Sequence, residues 1–238
     1  MVIFMFKIFG KNCINEAIRA NHMIYQLDIE ELADKKDPNF KKMLQDKGIK
    51  YSILTKKSMD KKYGEKHQGF GAEVEPYKYA TLEDLINMKK DGRKIFLVLD
   101  GIEDPHNFGA MIRSCDAFSI DGIIIPKNRS VSITEAVAHV STGAIEYVPI
   151  CMVNNLAQAL RKLKENNVWV VGTDASAKQE ASDIEKDLNI AVIIGSEGFG
   201  MSKVCKNECD YYIRIPMTGH VNSLNASVSC GIILALLK

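Results

Sequence analysis

The sequence predicts an α/β protein of two domains, a small N-terminal one and a larger one with a parallel sheet. In the second half of the chain, short apolar runs alternate regularly with stretches of helical periodicity. The run Ile95–Leu99 is continuously apolar, which is typical of a strand buried on both faces. The first half shows a similar but less regular alternation, and the two halves meet near Glu75–Arg93.

In the first half, apolar runs and helical periodicity predict four strands and two helices, and the second helix ends at Gly48. The strands are expected at Met1–Phe6, Met23–Ile29, Ile49–Leu54 and Gly69–Val74, and the helices at Asn15–Ala20 and Phe40–Lys47. A short helix should follow, because Thr81 and Asp84 have the spacing of a capping box.

The second half predicts six strands and four helices in alternation. The strands are expected at Ile95–Leu99, Gly122–Ile125, Tyr147–Cys151, Val168–Val171, Ile190–Ile194 and Tyr211–Ile215. The helices are expected at Asn107–Phe118, Ile133–Gly143, Asn155–Lys164 and Ser223–Leu237. Trp169 lies in one of these strands, and we expect it in the core.

Composition and residue patterns argue against a membrane protein and a metal site, and they reveal one basic stretch. Hydrophobic residues make up 46% of the 238 residues, and no apolar run reaches the roughly 18 residues of a membrane span. The six cysteines form no C-x-x-C pair, so we expect no metal site and a reducing, cytoplasmic location. The stretch Lys35–Lys66 holds 11 basic and 4 acidic residues. It is either a surface that attracts a polyanion such as RNA or a solvated lysine-rich surface.

Three polar segments follow three predicted strands, where ligands bind in parallel sheets. Residues 100–115 place Asn107 at or near a helix start, either as a cap or as a functional amide, with Arg113 two turns on. Residues 193–201 form a glycine-rich turn with Glu197, whose charge disfavours a pyrophosphate. Residues 215–229 carry more amides and hydroxyls than one helix cap needs.

In order and spacing, these segments resemble the three motifs of the SpoU (TrmH-like) RNA ribose methyltransferases of the SPOUT superfamily. The matching patterns are D-P-x-N-x-G-x-x-x-R over 104–113, G-S-E-G-x-G over 195–200, and I-P-M with N-S-L-N-x-S over 215–227, including Asn222. The likeness covers nearly the whole chain. Residues near 6–79 resemble the small L30e-like domain that binds the RNA substrate in this family.

The resemblance implies that the chain transfers a methyl group from S-adenosylmethionine to a ribose 2′-hydroxyl in RNA. It implies an L30e-like domain over 1–78, a linker over 79–92 and a SPOUT domain over 93–238. The last strands and helix should form a deep trefoil knot, which general folding rules would not predict. A homodimer with both subunits at each site is also implied.

The resemblance also implies roles for single residues. Asn107 and Ser223 should position the ribose, Glu197 should orient Asn107, Asn225 should hold the loop and the arginine, and Arg113 should activate the hydroxyl. The cofactor should be bound by Thr173, Gly195, Gly200, Ile215, Met217, Ser223 and Leu224, with no metal involved. His106 and His220 flank the motifs as structural residues or proton relays.

The partner implied is structured RNA. The two-domain layout most resembles the bacterial large-subunit rRNA guanosine 2′-O-methyltransferases. A tRNA ribose methyltransferase with the same site is one alternative, and a non-catalytic RNA-binding protein is another. A nicotinamide-dependent oxidoreductase is disfavoured, because no G-x-G-x-x-G fingerprint follows the first buried strand.

Overall fold

The computed structural model describes residues 5–220 and 223–238. Contacts divide the chain into two compact units. The N-terminal unit comprises the described residues up to Lys78 together with Ile133–Tyr147, and the C-terminal unit comprises Tyr79–Ser132 together with Val148–Lys238. No helix in the described part of the chain is long and apolar enough to cross a membrane.

The N-terminal unit has a four-stranded sheet in the order β1-β4-β2-β3. Strands β1 and β2 run antiparallel to β4, and β3 runs parallel to β2. The strands are β1 (Phe6–Phe9), β2 (Ile24–Glu30), β3 (Ser52–Leu54) and β4 (Phe70–Val74). The helices are α1 (Lys11–Arg19), α2 (Glu31–Lys36), α3 (Pro38–Asp46), α4 (Lys56–Tyr63) and α7 (Glu135–Val140).

Most predicted elements of this unit are present, with shifted ends. The first strand begins later than predicted, and residues 1–4 of the predicted strand lie outside the described residues. Gly48 follows the end of α3 with a φ of +64°, which suits glycine. Helix α4 was not predicted, because only Met59 and Tyr63 of its lysine-rich sequence are buried.

The segment Ile133–Tyr147 packs within the N-terminal unit through α7. The Phe9 ring stacks on His139 with 4.4 Å between ring centroids, and the Cys13 thiol lies 3.5 Å from the Ala138 carbonyl oxygen. The Tyr147 hydroxyl donates to the Glu16 carboxylate at 2.7 Å. These contacts join residues more than 100 positions apart, so periodicity alone gives no sign of them.

The C-terminal unit contains a seven-stranded sheet in the order β7-β6-β5-β10-β8-β11-β9. Every neighbouring pair is parallel, which confirms the predicted parallel sheet. The strands are β5 (Ile95–Asp100), β6 (Gly122–Pro126), β7 (Ile150–Val153), β8 (Trp169–Thr173), β9 (Gln179–Glu180), β10 (Ile190–Gly195) and β11 (Tyr211–Arg214). Because β10 lies between β5 and β8, strands distant in sequence end side by side.

The α-helices that the structure describes in this unit are α5 (Leu82–Asn87), α6 (Pro105–Ala117), α8 (Leu156–Glu165), α9 (Lys203–Glu208) and α10 (Ala226–Leu236). The predicted capping box of Thr81 and Asp84 is confirmed at the start of α5. Helix α10 packs against both α6 and β10. This packing brings the start of α10 to the sheet edge where β10 ends.

The prediction that Trp169 is a core residue is wrong. Its side chain is 46% exposed, because it is the first residue of β8 and stands at the amino end of the strand. The ring lies against Tyr211, the first residue of β11, with 6.2 Å between ring centroids. The fully buried part of β8 begins at the next residue, Val170.

A histidine in the N-terminal unit is expected to make stability depend on pH. His22 Nδ1 lies 2.8 Å from the Glu146 carboxylate, and Nε2 lies 2.8 Å from the Glu75 carbonyl oxygen. Both partners accept hydrogen bonds, so only the protonated ring satisfies both. The hydrogen bond to Glu146 raises the pKa of His22 above its usual value.

Because the folded-state pKa lies above the unfolded one, this stabilisation is complete below about pH 6.5 and is lost as pH rises through the folded pKa. Urea unfolding followed by circular dichroism measures the free energy of unfolding. We expect it to be higher for the wild type than for His22→Gln at pH 6, and this difference should shrink as pH rises to 9. Glu146→Gln, which removes the partner charge, should weaken the same dependence. A difference in the free energy of unfolding between wild type and His22→Gln that stays constant with pH would contradict this.

Candidate functional site

The three polar segments begin at one edge of the C-terminal sheet. Strands β5 and β10 are adjacent and in register, with Asp100 opposite Gly195. The first segment begins at Asp100, the second includes Gly195 at the end of β10, and the third follows β11, which ends at Arg214. The first two segments are also joined directly, because Asp100 Oδ2 accepts a hydrogen bond from the Ser202 backbone amide at 2.6 Å.

Asp104, rather than Asn107, caps helix α6. Its carboxylate accepts the backbone N–H of Asn107 at 3.0 Å, and Pro105 occupies the first helical position. An aspartate at the cap with proline after it is a favoured helix start. The Asn107 side chain is therefore not used for capping and is available in the first turn.

Glu197 joins all three segments through one oxygen. Its Oε1 accepts hydrogen bonds from Asn107 Nδ2 at 3.1 Å, from Asn225 Nδ2 at 2.6 Å and from the Ala226 backbone amide at 3.1 Å. Asn225 Nδ2 also donates to Asn107 Oδ1 at 2.9 Å. These four residues form the polar cluster of the site, in which hydrogen bonds to an ionised acceptor are stronger than neutral ones.

Asn225 has a structural task as well. Its Oδ1 accepts the backbone amides of Ser227 and Val228 at 3.0 and 3.2 Å and the Ser227 hydroxyl at 2.6 Å. The same side chain thus caps α10 with its oxygen and binds Glu197 and Asn107 with its nitrogen. Ser223 and Leu224 precede it, whereas Asn222 lies outside the described residues.

The glycine-rich loop closes on itself. The Ser196 amide donates to the Gly200 carbonyl at 3.1 Å, and the Gly200 amide donates to the Ser196 carbonyl at 2.8 Å. A Cβ on Gly195 would lie 2.2 Å from the Gly200 carbonyl carbon, and Gly200 has a φ of +64°. Both positions therefore need glycine, for close approach and for backbone conformation respectively.

A cavity opens beside this loop. It is lined by every residue predicted to bind the cofactor, namely Thr173, Gly195, Gly200, Ile215, Met217, Ser223 and Leu224. Glu197 and Ala226 of the polar cluster line it too. The lining fits S-adenosylmethionine, since Ile194, Ile213 and Ile233 offer apolar surface beside the tightly folded glycine backbone.

The remaining predicted residues have exposed side chains. Arg113 lies on α6 with its side chain exposed, and His106 and His220 are also exposed. The hydrogen bonds of Asn225 found in the described residues go to the polar cluster and the α10 backbone, and none goes to Arg113. The predicted restraint of Arg113 by Asn225 remains a prediction.

Two contributors to the site were missed from sequence. Asp100 ties the first two segments together, and Asp174, directly after β8, lines the cofactor cavity. Both are acidic residues at the carboxyl ends of central strands. The rule that ligands bind at the carboxyl ends of parallel strands could have identified both.

Two family models match the chain. The SpoU rRNA Methylase family model matches residues 94–235, and the model for RNA 2′-O ribose methyltransferase substrate binding matches residues 7–80. A Staphylococcus aureus protein named "Putative TrmH family tRNA/rRNA methyltransferase" is 43% identical over 230 residues, with 95% of this chain and 93% of that protein covered. A Bacillus subtilis relative of the same family is 40% identical over the same length, with 95% and 92% covered.

The chain belongs to the SpoU methylase family. It is an RNA 2′-O-methyltransferase. The SpoU methyltransferase AviRb from Streptomyces viridochromogenes, solved with the cofactor, has a TM-score of 0.81 at 21% identity, covering 98% of this chain and 89% of AviRb. This confirms the predicted fold class, a SPOUT α/β domain after a small substrate-binding domain. The predicted trefoil knot remains a prediction.

Asn225→Asp tests the polar cluster while preserving the helix cap. Aspartate caps as well as asparagine, but it places a carboxylate against Glu197 and against Asn107 Oδ1, where a donor is needed. We expect kcat to fall about 100-fold, the cost of misplacing a reacting group by about 1 Å. Partial recovery at lower pH should follow, because adjacent carboxylates share a proton.

Asn225→Ser is the matched control, since serine caps the helix and adds no charge. It should lose activity to a similar or smaller extent and show no recovery as pH falls. Circular dichroism should be unchanged in both variants. Full activity of Asn225→Asp at pH 8 would show that the cluster does not position the reacting groups.

Proposed function

We propose that this enzyme methylates the ribose 2′-hydroxyl of a guanosine in large-subunit rRNA and that it acts as a homodimer. The observation that carries the proposal is the polar cluster at the edge of the cofactor cavity. Its members come from all three family motifs and meet at Glu197. The S. aureus and B. subtilis relatives are named for both tRNA and rRNA.

The residues of this chain have to orient a weak nucleophile, the ribose 2′-hydroxyl. The cofactor S-adenosylmethionine, when bound, supplies an electrophilic methyl group. Orientation of the hydroxyl can remove roughly 7–11 kcal/mol of the barrier when the reacting atoms lie about 3–3.5 Å apart. Asn107 and Ser223 position the ribose in this account. Glu197 keeps the Asn107 amide fixed, because the two are hydrogen-bonded.

Arg113 acts as a cation rather than as a base. A guanidinium is effectively never deprotonated in a protein, so it cannot take the hydroxyl proton. We assign it to binding the RNA phosphate and stabilising negative charge that develops on the ribose oxygen. The proton passes to a phosphate oxygen or to water. The exposed side chain of Arg113 is consistent with an RNA partner.

The basic stretch Lys35–Lys66 is the surface that we assign to the RNA backbone. Nine of its eleven basic side chains are exposed, whereas Lys41 and Lys62 are partly buried beside Asp34 and Asp28. Such a surface binds phosphates with an affinity that falls as salt rises. By contrast, the tRNA-modifying TrmH/SpoU enzyme of A. aeolicus aligns over only 66% of this chain, at 26% identity and a TM-score of 0.55.

The decisive assay combines purified protein, radiolabelled S-adenosylmethionine and unmodified large-subunit rRNA, with bulk tRNA in parallel. We expect label at one alkali-resistant position of rRNA, and loss of that label in Asn107→Ala and Arg113→Ala. Sedimentation should give the mass of a dimer. Label in tRNA alone would overturn the rRNA assignment while leaving the chemistry intact.

Arg113→Lys separates charge from guanidinium geometry. Lysine keeps the positive charge but cannot bind a phosphate and a hydroxyl oxygen with a planar fork. We expect kcat to fall about 100-fold, with a smaller change in the KM for RNA. Lys42→Ala, in the basic stretch, should instead raise the KM for RNA and leave kcat unchanged. Near-normal turnover by Arg113→Lys would contradict the guanidinium role.

A further inference from the structure

A second cleft borders the glycine-rich loop. It shares Ser196 and Gly200 with the cofactor cavity, and Gly198 and Phe199 of the same loop also line it. The rest of its lining comes from the residues after β5, β6 and β7 and from the start of α9. The cleft is therefore continuous with the catalytic edge of the sheet, yet none of the cofactor-binding or catalytic assignments explains it.

Phe199 is the most exposed large hydrophobic side chain of the described residues, at 96%. It stands between Gly198 and Gly200, where added Cβ atoms would meet nothing within 4 Å. The paired backbone hydrogen bonds between Ser196 and Gly200 hold the loop that carries it. Val204, which is 57% exposed, lines the same cleft. One exposed apolar side chain needs no explanation, but two in a cleft beside an active site indicate a ligand.

The polar lining tells which ligand fits. Arg129 supplies one cation, Glu103 supplies a carboxylate, and Asn128 and Asn154 supply amides. Asp100 adds a second carboxylate, already bonded to the Ser202 amide. With no net positive charge in the lining, the cleft is a poor site for phosphate alone. An aromatic face beside mixed donors and acceptors instead suits an unpaired nucleobase, which has a flat face and a polar edge.

We infer that this cleft binds an unpaired base of the RNA segment that presents the target ribose, with the base stacked on Phe199. Arg129 contacts the backbone of the same nucleotide, and the amides bond to the base edge. The inference rests on the proposed function for its substrate and extends it, because it names the group that seats the RNA next to the reacting ribose. A base held there is out of its stack, and stacking on Phe199 offsets that cost.

Steady-state methylation by Phe199→Ala, Phe199→Leu and Phe199→Trp tests the inference on whichever RNA the wild type methylates. We expect Phe199→Ala to raise the KM for RNA about 5- to 150-fold, which is ~1–3 kcal/mol of stacking at ~1.4 kcal/mol per tenfold. Phe199→Trp should restore binding, and Phe199→Leu should not, because leucine has no π face. The Kd for S-adenosylmethionine should be unchanged.

Trp169→Ala, which truncates an exposed aromatic side chain at the amino end of β8 and outside both cavities, is the matched control and should leave the KM for RNA unchanged. RNA affinity by fluorescence anisotropy gives the same comparison without turnover. Methylation of tRNA instead of rRNA by the wild type would revise the proposed function, and the Phe199 series would then be read on tRNA. Equal RNA binding by Phe199→Leu and wild type, or a dimer lost in Phe199→Ala, would overturn the inference.

Discussion

The site depends on one carboxylate oxygen. Glu197 Oε1 accepts three N–H groups, from Asn107, Asn225 and Ala226, which belong to the starts of α6 and α10. These two helix starts lie more than 100 residues apart in the chain. Removal of the Glu197 carboxylate leaves three N–H groups without this acceptor. An unsatisfied buried donor costs more free energy than a typical hydrogen bond contributes. The positions of the Asn107 and Asn225 side chains therefore depend on the Glu197 carboxylate, which stands on a short loop.

That loop is built to hold its shape. The Gly200 carbonyl carbon lies 2.2 Å from the position that a Cβ on Gly195 would occupy, so this position needs glycine. Gly200 itself adopts a positive φ that closes the turn. Ser196 and Gly200 of this loop border both the cofactor cavity and the Phe199 cleft. In our account, the methyl donor, the ribose and a neighbouring base are all located by this one turn.

The sequence predicted the parallel sheet and the meeting of three segments, because buried parallel strands have continuous apolar runs and ligands bind at their carboxyl ends. The knot and the residue roles came from family resemblance alone. Pattern could not predict α4, whose buried face is only Met59 and Tyr63. It misplaced Trp169, because an apolar run does not show which end of a strand is solvated. The cap at Asp104 and the packing of Ile133–Tyr147 likewise depend on contacts in three dimensions.

The central claim is that Asn107 and Glu197 act as one unit in positioning the ribose. A double-mutant cycle on kcat with Asn107→Ala, Glu197→Gln and the double variant tests it most directly, with dimer mass and cofactor affinity as checks on folding. If Glu197 works through Asn107, the double variant should be little slower than the slower single variant. Losses that simply multiply would mean that the two residues act independently and would contradict the account.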